Sequence, residues 1–121
     1  MKIAAVQMQA DLGNVAANLE KAEKLAGDAF QAGAEWVILP EFFTSAAGFS
    51  PKMQHAALQF QGPAMELLTS LSKKYQGAIG GSYIAWKDRD AYNTFVLAMP
   101  DGTVYQHDKD LPTMWENCYY I

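Results

Sequence analysis

A helical segment between two apolar runs is the feature that most constrains how this chain can fold. Residues 15–31 carry apolar side chains at steps of three and four, which predicts an amphipathic helix. A short apolar run at 3–8 precedes the helix, and the continuous apolar run 36–39 is typical of a strand buried on both faces. A strand, a helix and a buried strand in this order predict a βαβ unit with parallel strands.

The remainder of the chain predicts two more helical segments and three more strands. Pro63 suits the first turn of a helix at 64–75, and a short helix is expected around 53–59. Runs of strand-forming residues separated by turn sequences predict strands at 78–86, 92–99 and 103–109. This order predicts an α/β fold, with helices on one face of a sheet and an antiparallel meander at one side. No repeat or linker divides the chain.

The composition excludes several classes of protein. Half of the 121 residues are apolar and 18% are charged, which is typical of a globular domain and excludes a disordered chain. The net charge is -4 and the cations are not clustered, so no nucleic-acid partner is expected. No segment approaches the roughly 20 apolar residues of a membrane span. The single cysteine, Cys118, excludes an internal disulfide and fits a reducing compartment, so we expect a cytoplasmic protein without a membrane partner.

Glu41 stands at the end of the buried run 36–39, where open α/β sheets bind their ligands. We expect Phe42 and Phe43, which follow it, to desolvate the carboxylate partly, as suits a general base. The alternative is a solvated glutamate in a loop. Whether these two rings and Trp115 line an acyl pocket or pack in the core is left open by the sequence.

Lys109 ends the run 103–109, and the alternation of a strand places it on the same face as Tyr105 and His107. A lysine at this position could stabilise a developing oxyanion. The alternative is an edge-strand lysine that discourages aggregation. His55 and His107 lack the spacing of a zinc site, so we expect them to be surface or packing residues.

Four blocks of sequence, in this order, resemble the carbon–nitrogen hydrolase (nitrilase) superfamily. They are KIAAVQMQADLGNVAANLEKA, WVILPEFF, YNTFVLAMPDGTVYQHDKDLP and MWENCYY, and together they span essentially the whole chain. The resemblance implies hydrolysis or transfer at non-peptide C–N bonds of small amides, nitriles or carbamoyl compounds. It implies a Glu-Lys-Cys triad that needs no metal or organic cofactor, and it agrees with a homo-oligomer.

The same resemblance implies roles for individual residues. Glu41 would be the general base, and Lys109 would stabilise the tetrahedral intermediate. Glu116 resembles the second glutamate that many members carry after the lysine, where it helps to position lysine and substrate. Cys118 does not match the nucleophile, which in the family lies well beyond the lysine and is commonly followed by an aromatic and then an acidic residue. We therefore expect Cys118 to be a small, buried structural residue.

Members of this family are longer chains that fold as a four-layer αββα sandwich. We therefore expect residues 1–121 to be the N-terminal portion of a single hydrolase domain, with the nucleophile in the absent C-terminal portion. The main alternative is a non-catalytic module that associates with itself or with a partner through the uncovered sheet face. A nucleotide-binding domain is disfavoured, because residues 9–14 contain only Gly13 where a glycine-rich turn would be needed.

Overall fold

The computed structural model describes all residues, 1–121, and contains one mixed six-stranded sheet. The elements are β1 (Ile3–Ala5), α1 (Val15–Gln31), β2 (Trp36–Ile38), α2 (Pro51–His55), β3 (Leu58–Gln59), α3 (Pro63–Tyr75), β4 (Ala78–Lys87), β5 (Asp90–Ala98), β6 (Val104–Asp108) and a final 3₁₀ turn (Glu116–Cys118). The strand order is β1-β2-β4-β5-β6, and β3 pairs with the far end of β4.

The predicted βαβ unit is confirmed by the pairing of β1 with β2. The two strands are parallel, with Ile3 opposite Trp36, and β2 pairs in parallel with β4. Helix α1 has the predicted bounds because both of its ends are encoded locally. The Asn14 side chain accepts a hydrogen bond from the Ala17 N–H at 3.3 Å, and Gly33 leaves the helix with φ +91°.

The predicted meander and the helical layer are also present. Strands β4, β5 and β6 are successive antiparallel neighbours, and α1 and α3 pack together against the sheet. The main core lies between these helices and the sheet. Its largest members are Phe30, Leu39, Phe43, Leu68, Leu71, Ile79 and Tyr83. Because each large apolar side chain contributes about 1.5–3 kcal/mol on full burial, this layer is the main source of stability.

Strand β1 is shorter than the predicted run 3–8. The last backbone hydrogen bond of the β1–β2 ladder joins the Val6 N–H to the Ile38 oxygen at 2.9 Å. Two residues beyond the end of β2, Pro40 has no N–H to donate, so the ladder cannot continue.

The short helix expected at 53–59 lies instead at Pro51–His55. Helix α2 starts earlier, at Pro51, because the Ser50 side chain accepts from the Lys52 N–H at 3.1 Å and proline suits the first turn. Leu58–Gln59 instead forms β3, whose partner is β4. A strand whose existence depends on a distant partner leaves no local signal in the sequence.

The second face of the sheet is covered only at one end. There a small cluster brings Met53 of α2 and Tyr120 over Ile84 and Ala91. Elsewhere this face is open, and Tyr105 of β6 is 59% exposed. None of the helices is long and apolar enough to cross a membrane.

Candidate active site

An open pocket of about 560 Å³ lies on the second face of the sheet, where β2, β4, β5 and β6 meet. It contains two of the three predicted catalytic residues, Glu41 and Lys109. The lining residues are Leu39, Glu41, Ser82, Asn93, Phe95, His107, Lys109, Asp110 and Leu111. The pocket therefore combines apolar walls with a carboxylate and an ammonium group, as small-molecule sites commonly do.

Lys109 lies between two glutamates. Its Nζ is 2.8 Å from Oε1 of Glu116 and 3.3 Å from Oε1 of Glu41. Its backbone N–H donates to the Asn93 carbonyl at 2.9 Å, which continues the β5–β6 pairing by one residue. The hydrogen bond to Glu116 and the charge of Glu41 raise the pKa of Lys109, although partial burial opposes this. The structure thus brings together all three predicted site residues and keeps the lysine protonated.

Glu116 is the buried member of the group, with a side chain that is 9% exposed. Burial alone would raise the pKa of this carboxyl group, but hydrogen bonds from Lys109, Tyr120 and the Thr113 N–H outweigh it and lower the pKa to about 2. The Thr113 N–H donates to Oε2 at 2.6 Å, and the Tyr120 hydroxyl makes a short hydrogen bond to Oε1. Glu116 is therefore a buried carboxylate that accepts hydrogen bonds from three groups, one of which is the Lys109 ammonium.

Glu41 does not have the desolvated environment expected from its two phenylalanine neighbours. Its side chain is 54% exposed. Phe42 and Phe43 turn away from it and are almost completely buried, each in a different hydrophobic cluster. This corrects the expected partial desolvation, and it places both rings in the core rather than in the pocket. The expected position of Glu41 at the end of a strand is confirmed.

The turn that presents Glu41 is anchored to β4. Phe42 has φ +55°, a left-handed conformation that costs a non-glycine residue about 1–2 kcal/mol. Its N–H donates to the Ser82 Oγ at 3.2 Å, and the Phe43 N–H donates to the Ser82 carbonyl at 3.1 Å. Strained backbone of this kind is concentrated at functional sites, where the surrounding structure holds it in place.

Cys118 is exposed, so the expectation that it is a buried structural residue is wrong. The 3₁₀ turn directs Glu116 inward and Cys118 outward, toward the Met114 carbonyl at 3.9 Å from the sulphur. Cys118 does not line the pocket and makes no hydrogen bond to Glu41 or Lys109. Trp115 is 63% exposed and belongs to neither hydrophobic cluster.

The two histidines do not form a metal site with acidic or cysteine neighbours. His107 lies on the face that it shares with Lys109 and lines the pocket, and its Nε2 is 3.1 Å from Oδ2 of Asp110. No group of three or more His, Cys, Asp or Glu side chains in residues 1–121 is arranged to hold a metal ion.

The sequence did not identify the three residues that hydrogen-bond to the glutamates or to the turn at Phe42, namely Ser82, Asn93 and Tyr120. Asn93 donates from Nδ2 to Oε1 of Glu41 at 2.6 Å. Asparagine is rare in strands, so its presence in the otherwise strand-forming run 92–99 was a signal that could have identified it. Tyr120 and Ser82 carried no comparable signal, because their partners are known only from the fold.

Comparison with known proteins points to one protein family. The family model described as carbon–nitrogen hydrolase matches residues 2–121. An omega-amidase of Xenopus laevis is 39% identical over 88 residues, which is 72% of this chain and 32% of the relative. A nitrilase of Pyrococcus abyssi is 32% identical over 114 residues, which is 90% of this chain and 43% of the relative. The chain therefore spans less than half of the length of these curated relatives.

Solved structures support the fold. A CN-hydrolase superfamily protein from Xanthomonas campestris superposes with a TM-score of 0.85 at 27% identity, covering 98% of this chain and 44% of its own. Saccharomyces cerevisiae Nit3, a member of the nitrilase superfamily, gives a TM-score of 0.85 at 22% identity, covering all of this chain and 48% of its own. The α/β fold predicted from the sequence is therefore that of this superfamily, and its single sheet with one helical layer is consistent with half of the predicted sandwich.

Proposed function

The chain belongs to the carbon–nitrogen hydrolase family, and on that basis we propose that its pocket hydrolyses a non-peptide C–N bond by covalent catalysis. In this proposal Glu41 is the general base, Lys109 stabilises the oxyanion and Glu116 holds Lys109 in place. The observation that carries it is the position of the Lys109 ammonium, 3.3 Å from one carboxylate and 2.8 Å from the other.

The geometry suits a proton acceptor beside a cation. Asn93 and Lys109 both contact Oε1 of Glu41, which leaves Oε2 without a protein partner. Oε2 can therefore accept a proton from a nucleophile while Oε1 keeps the carboxylate in position. The adjacent ammonium of Lys109 can stabilise negative charge as it develops on a substrate oxygen or nitrogen.

For an amide, the proposed reaction has two stages. A cysteine thiol transfers its proton to Glu41 and its sulphur bonds to the carbonyl carbon, while Lys109 stabilises the negative charge on the oxygen. The C–N bond then breaks, and Glu41 returns the proton to the departing nitrogen, which leaves a thioester. Water that is deprotonated by Glu41 attacks the thioester carbon, the C–S bond breaks, and the proton returns to the sulphur as the acid leaves.

We also propose that residues 1–121 form the N-terminal portion of one hydrolase domain, whose nucleophilic cysteine lies outside these residues. Cys118 faces away from the pocket, and the curated relatives are more than twice as long as the segment that they share with this chain. The pocket opens on the sheet face that is largely uncovered. An element that covered this face would reach both Glu41 and Lys109.

The expected substrate is a small amide, nitrile or carbamoyl compound. The relatives include an omega-amidase and a nitrilase, and the pocket of about 560 Å³ can hold a small molecule. We further propose that the enzyme is cytoplasmic. We also propose that it assembles as a homo-oligomer, because apolar sheet and sandwich surfaces favour association.

Substitution of the lysine tests this function. In the complete enzyme that contains residues 1–121, Lys109→Ala should lower kcat for amide hydrolysis about 100-fold to 1,000-fold, because the cation opposite the oxyanion is lost. Lys87→Ala is the matched control. Lys87 also makes an ion pair, at 2.6 Å with Asp108, but it does not line the pocket.

Ammonia release and thermal unfolding are measured for both variants. The proposal predicts loss of turnover in the folded Lys109 variant and near-normal turnover in the Lys87 variant. A folded Lys109→Ala enzyme that retains kcat within tenfold of the parent would contradict it.

A further inference from the structure

We propose that Asn93 is a positioning residue that holds both Glu41 and Lys109, a role that rests on the function proposed above. Asn93 lies in β5 and is 4% exposed. Its side chain and its backbone contact different members of the site. One residue of a strand that is paired on both sides thereby sets the separation between the proton acceptor and the cation.

The side-chain contact restrains Glu41. Nδ2 of Asn93 donates to Oε1 of Glu41 at 2.6 Å, which is shorter than the 3.3 Å contact from Lys109 to the same oxygen. The Glu41 side chain is otherwise 54% exposed and makes no other hydrogen bond. Without Asn93, only the 3.3 Å contact with Lys109 would restrain the rotamer of the carboxylate.

The backbone contact restrains Lys109. The carbonyl oxygen of Asn93 accepts from the Lys109 N–H at 2.9 Å, just beyond the last residue of β6. Because this bond extends the ladder past Asp108, it fixes the backbone position of Lys109. Substitution of the Asn93 side chain leaves this backbone bond possible, so the effect on Glu41 can be examined separately.

The environment of Asn93 argues against a purely structural role. Its Oδ1 is buried and has no hydrogen-bond partner in the chain. A buried acceptor without a partner destabilises a fold, and an apolar residue of similar size would avoid this penalty. The contact with Glu41 accounts for a polar side chain at this position.

A kinetic test uses Asn93→Leu in the complete enzyme. We expect kcat for amide hydrolysis to fall about 100-fold, the effect of misplacing a reacting group by about 1 Å, with KM changed by less than about threefold. The same substitution in a Glu41→Gln background should cause no further loss. Ser72→Ala is the matched control, because Ser72 is also buried and donates to a backbone carbonyl, that of Gly77 at 2.6 Å, but lies outside the site.

The outcomes separate this inference from the proposed function. If Glu41→Gln lowers turnover about 100-fold and a folded Asn93→Leu enzyme keeps its kcat, the positioning role is wrong and the proposed function stands. If Glu41→Gln leaves turnover unchanged, the proposed function itself fails. A fall in stability without a fall in kcat, as expected for Ser72→Ala, would assign Asn93 a structural role only.

A spectroscopic test needs no substitution at Asn93, so it applies even where Asn93→Leu fails to fold. In ¹⁵N-labelled protein, Glu41→Gln should shift the side-chain amide resonances of Asn93. Those of Asn18, another buried asparagine whose partners are backbone groups, should not move. Equal or absent shifts at the two asparagines would overturn the contact on which the inference depends.

Discussion

Lys109 contacts two carboxylates whose environments differ strongly. Glu41 is 54% exposed, whereas the Glu116 side chain is 9% exposed and has donors on both oxygens. Two carboxylates in different environments can take different roles in one site. In the proposed function the exposed carboxylate is the proton acceptor, and the buried one orients the lysine.

The environment of Glu116 predicts a pH-dependent stability. The pKa of its carboxyl group is about 2 in the folded chain and about 4.3 in an unfolded one. The ionised form therefore stabilises the fold above about pH 4.3, and this contribution is lost as the pH falls toward 2. Urea unfolding at a series of pH values should show that Glu116→Gln loses less stability across this window than the parent chain.

Tyr120→Phe provides a graded control for the same experiment. It removes one of the donors to Glu116 and leaves Lys109 and the Thr113 N–H in place. The loss of stability should then be complete at a higher pH than in the parent and be smaller in total, because the pKa of Glu116 in the folded chain is less depressed. An equally steep loss in Glu116→Gln and the parent would show that Glu116 does not carry this pH dependence.

For single residues, the sequence predicted the place in the fold better than the exposure of the side chain. Glu41 and Lys109 follow strands whose ends can be identified from local patterns. The exposure of Glu41 and of Cys118 depends on the direction of the turn that carries each of them. For Glu41, this direction is set by Phe42, a non-glycine residue with positive φ. The contact between Asn93 and Glu41 joins residues 52 positions apart and leaves no trace in local sequence.

At the scale of elements, Asn18 connects α1 to two loops, one of which follows Glu41. It is fully buried in a helix face that is otherwise apolar. Its Oδ1 accepts from the Asp11 N–H at 2.7 Å, and its Nδ2 donates to the carbonyls of Asp11 and Thr44 at 2.8 and 2.9 Å. One side chain thereby ties the start of the helix to the segment that follows Glu41.

This arrangement predicts a large loss of stability in Asn18→Ala. Three buried or partly buried backbone groups would lose their partner, so the free energy of unfolding should fall by about 3 kcal/mol. Asn14→Ala is the matched control, because Asn14 is an exposed helix cap with one side-chain hydrogen bond, whose removal should cost about 1 kcal/mol. Urea denaturation of both variants measures the difference, and equal losses would contradict this interpretation of Asn18.

The elements that the sequence placed well are those with local signals at both ends. Helix α1 has its cap at Asn14 and its terminating Gly33, and its bounds were predicted to the residue. Strand β3 depends on its partner β4. The end of β1 depends on the point at which Pro40 interrupts its ladder with β2. Such boundaries arise from tertiary pairing, so a single sequence could not define them.

At the scale of the whole molecule, the sheet has one covered face and one largely open face. The helices α1 and α3 cover the first, and the pocket with Glu41 and Lys109 opens on the second. Large open apolar surfaces are typical of regions that another element or chain covers. The proposed C-terminal portion of the domain would cover this face and bring the nucleophile to the pocket.

The most direct test of the proposed covalent site is to locate the acyl-enzyme. The complete enzyme is mixed with an amide substrate, quenched with acid within the first turnover, digested and analysed by mass spectrometry, beside a Glu41→Gln variant. The predicted result is an acyl group on a cysteine outside residues 1–121 in the parent enzyme, and about 100-fold slower acylation in the variant. Acylation of Cys118, or equal rates in the two enzymes, would contradict the proposed site.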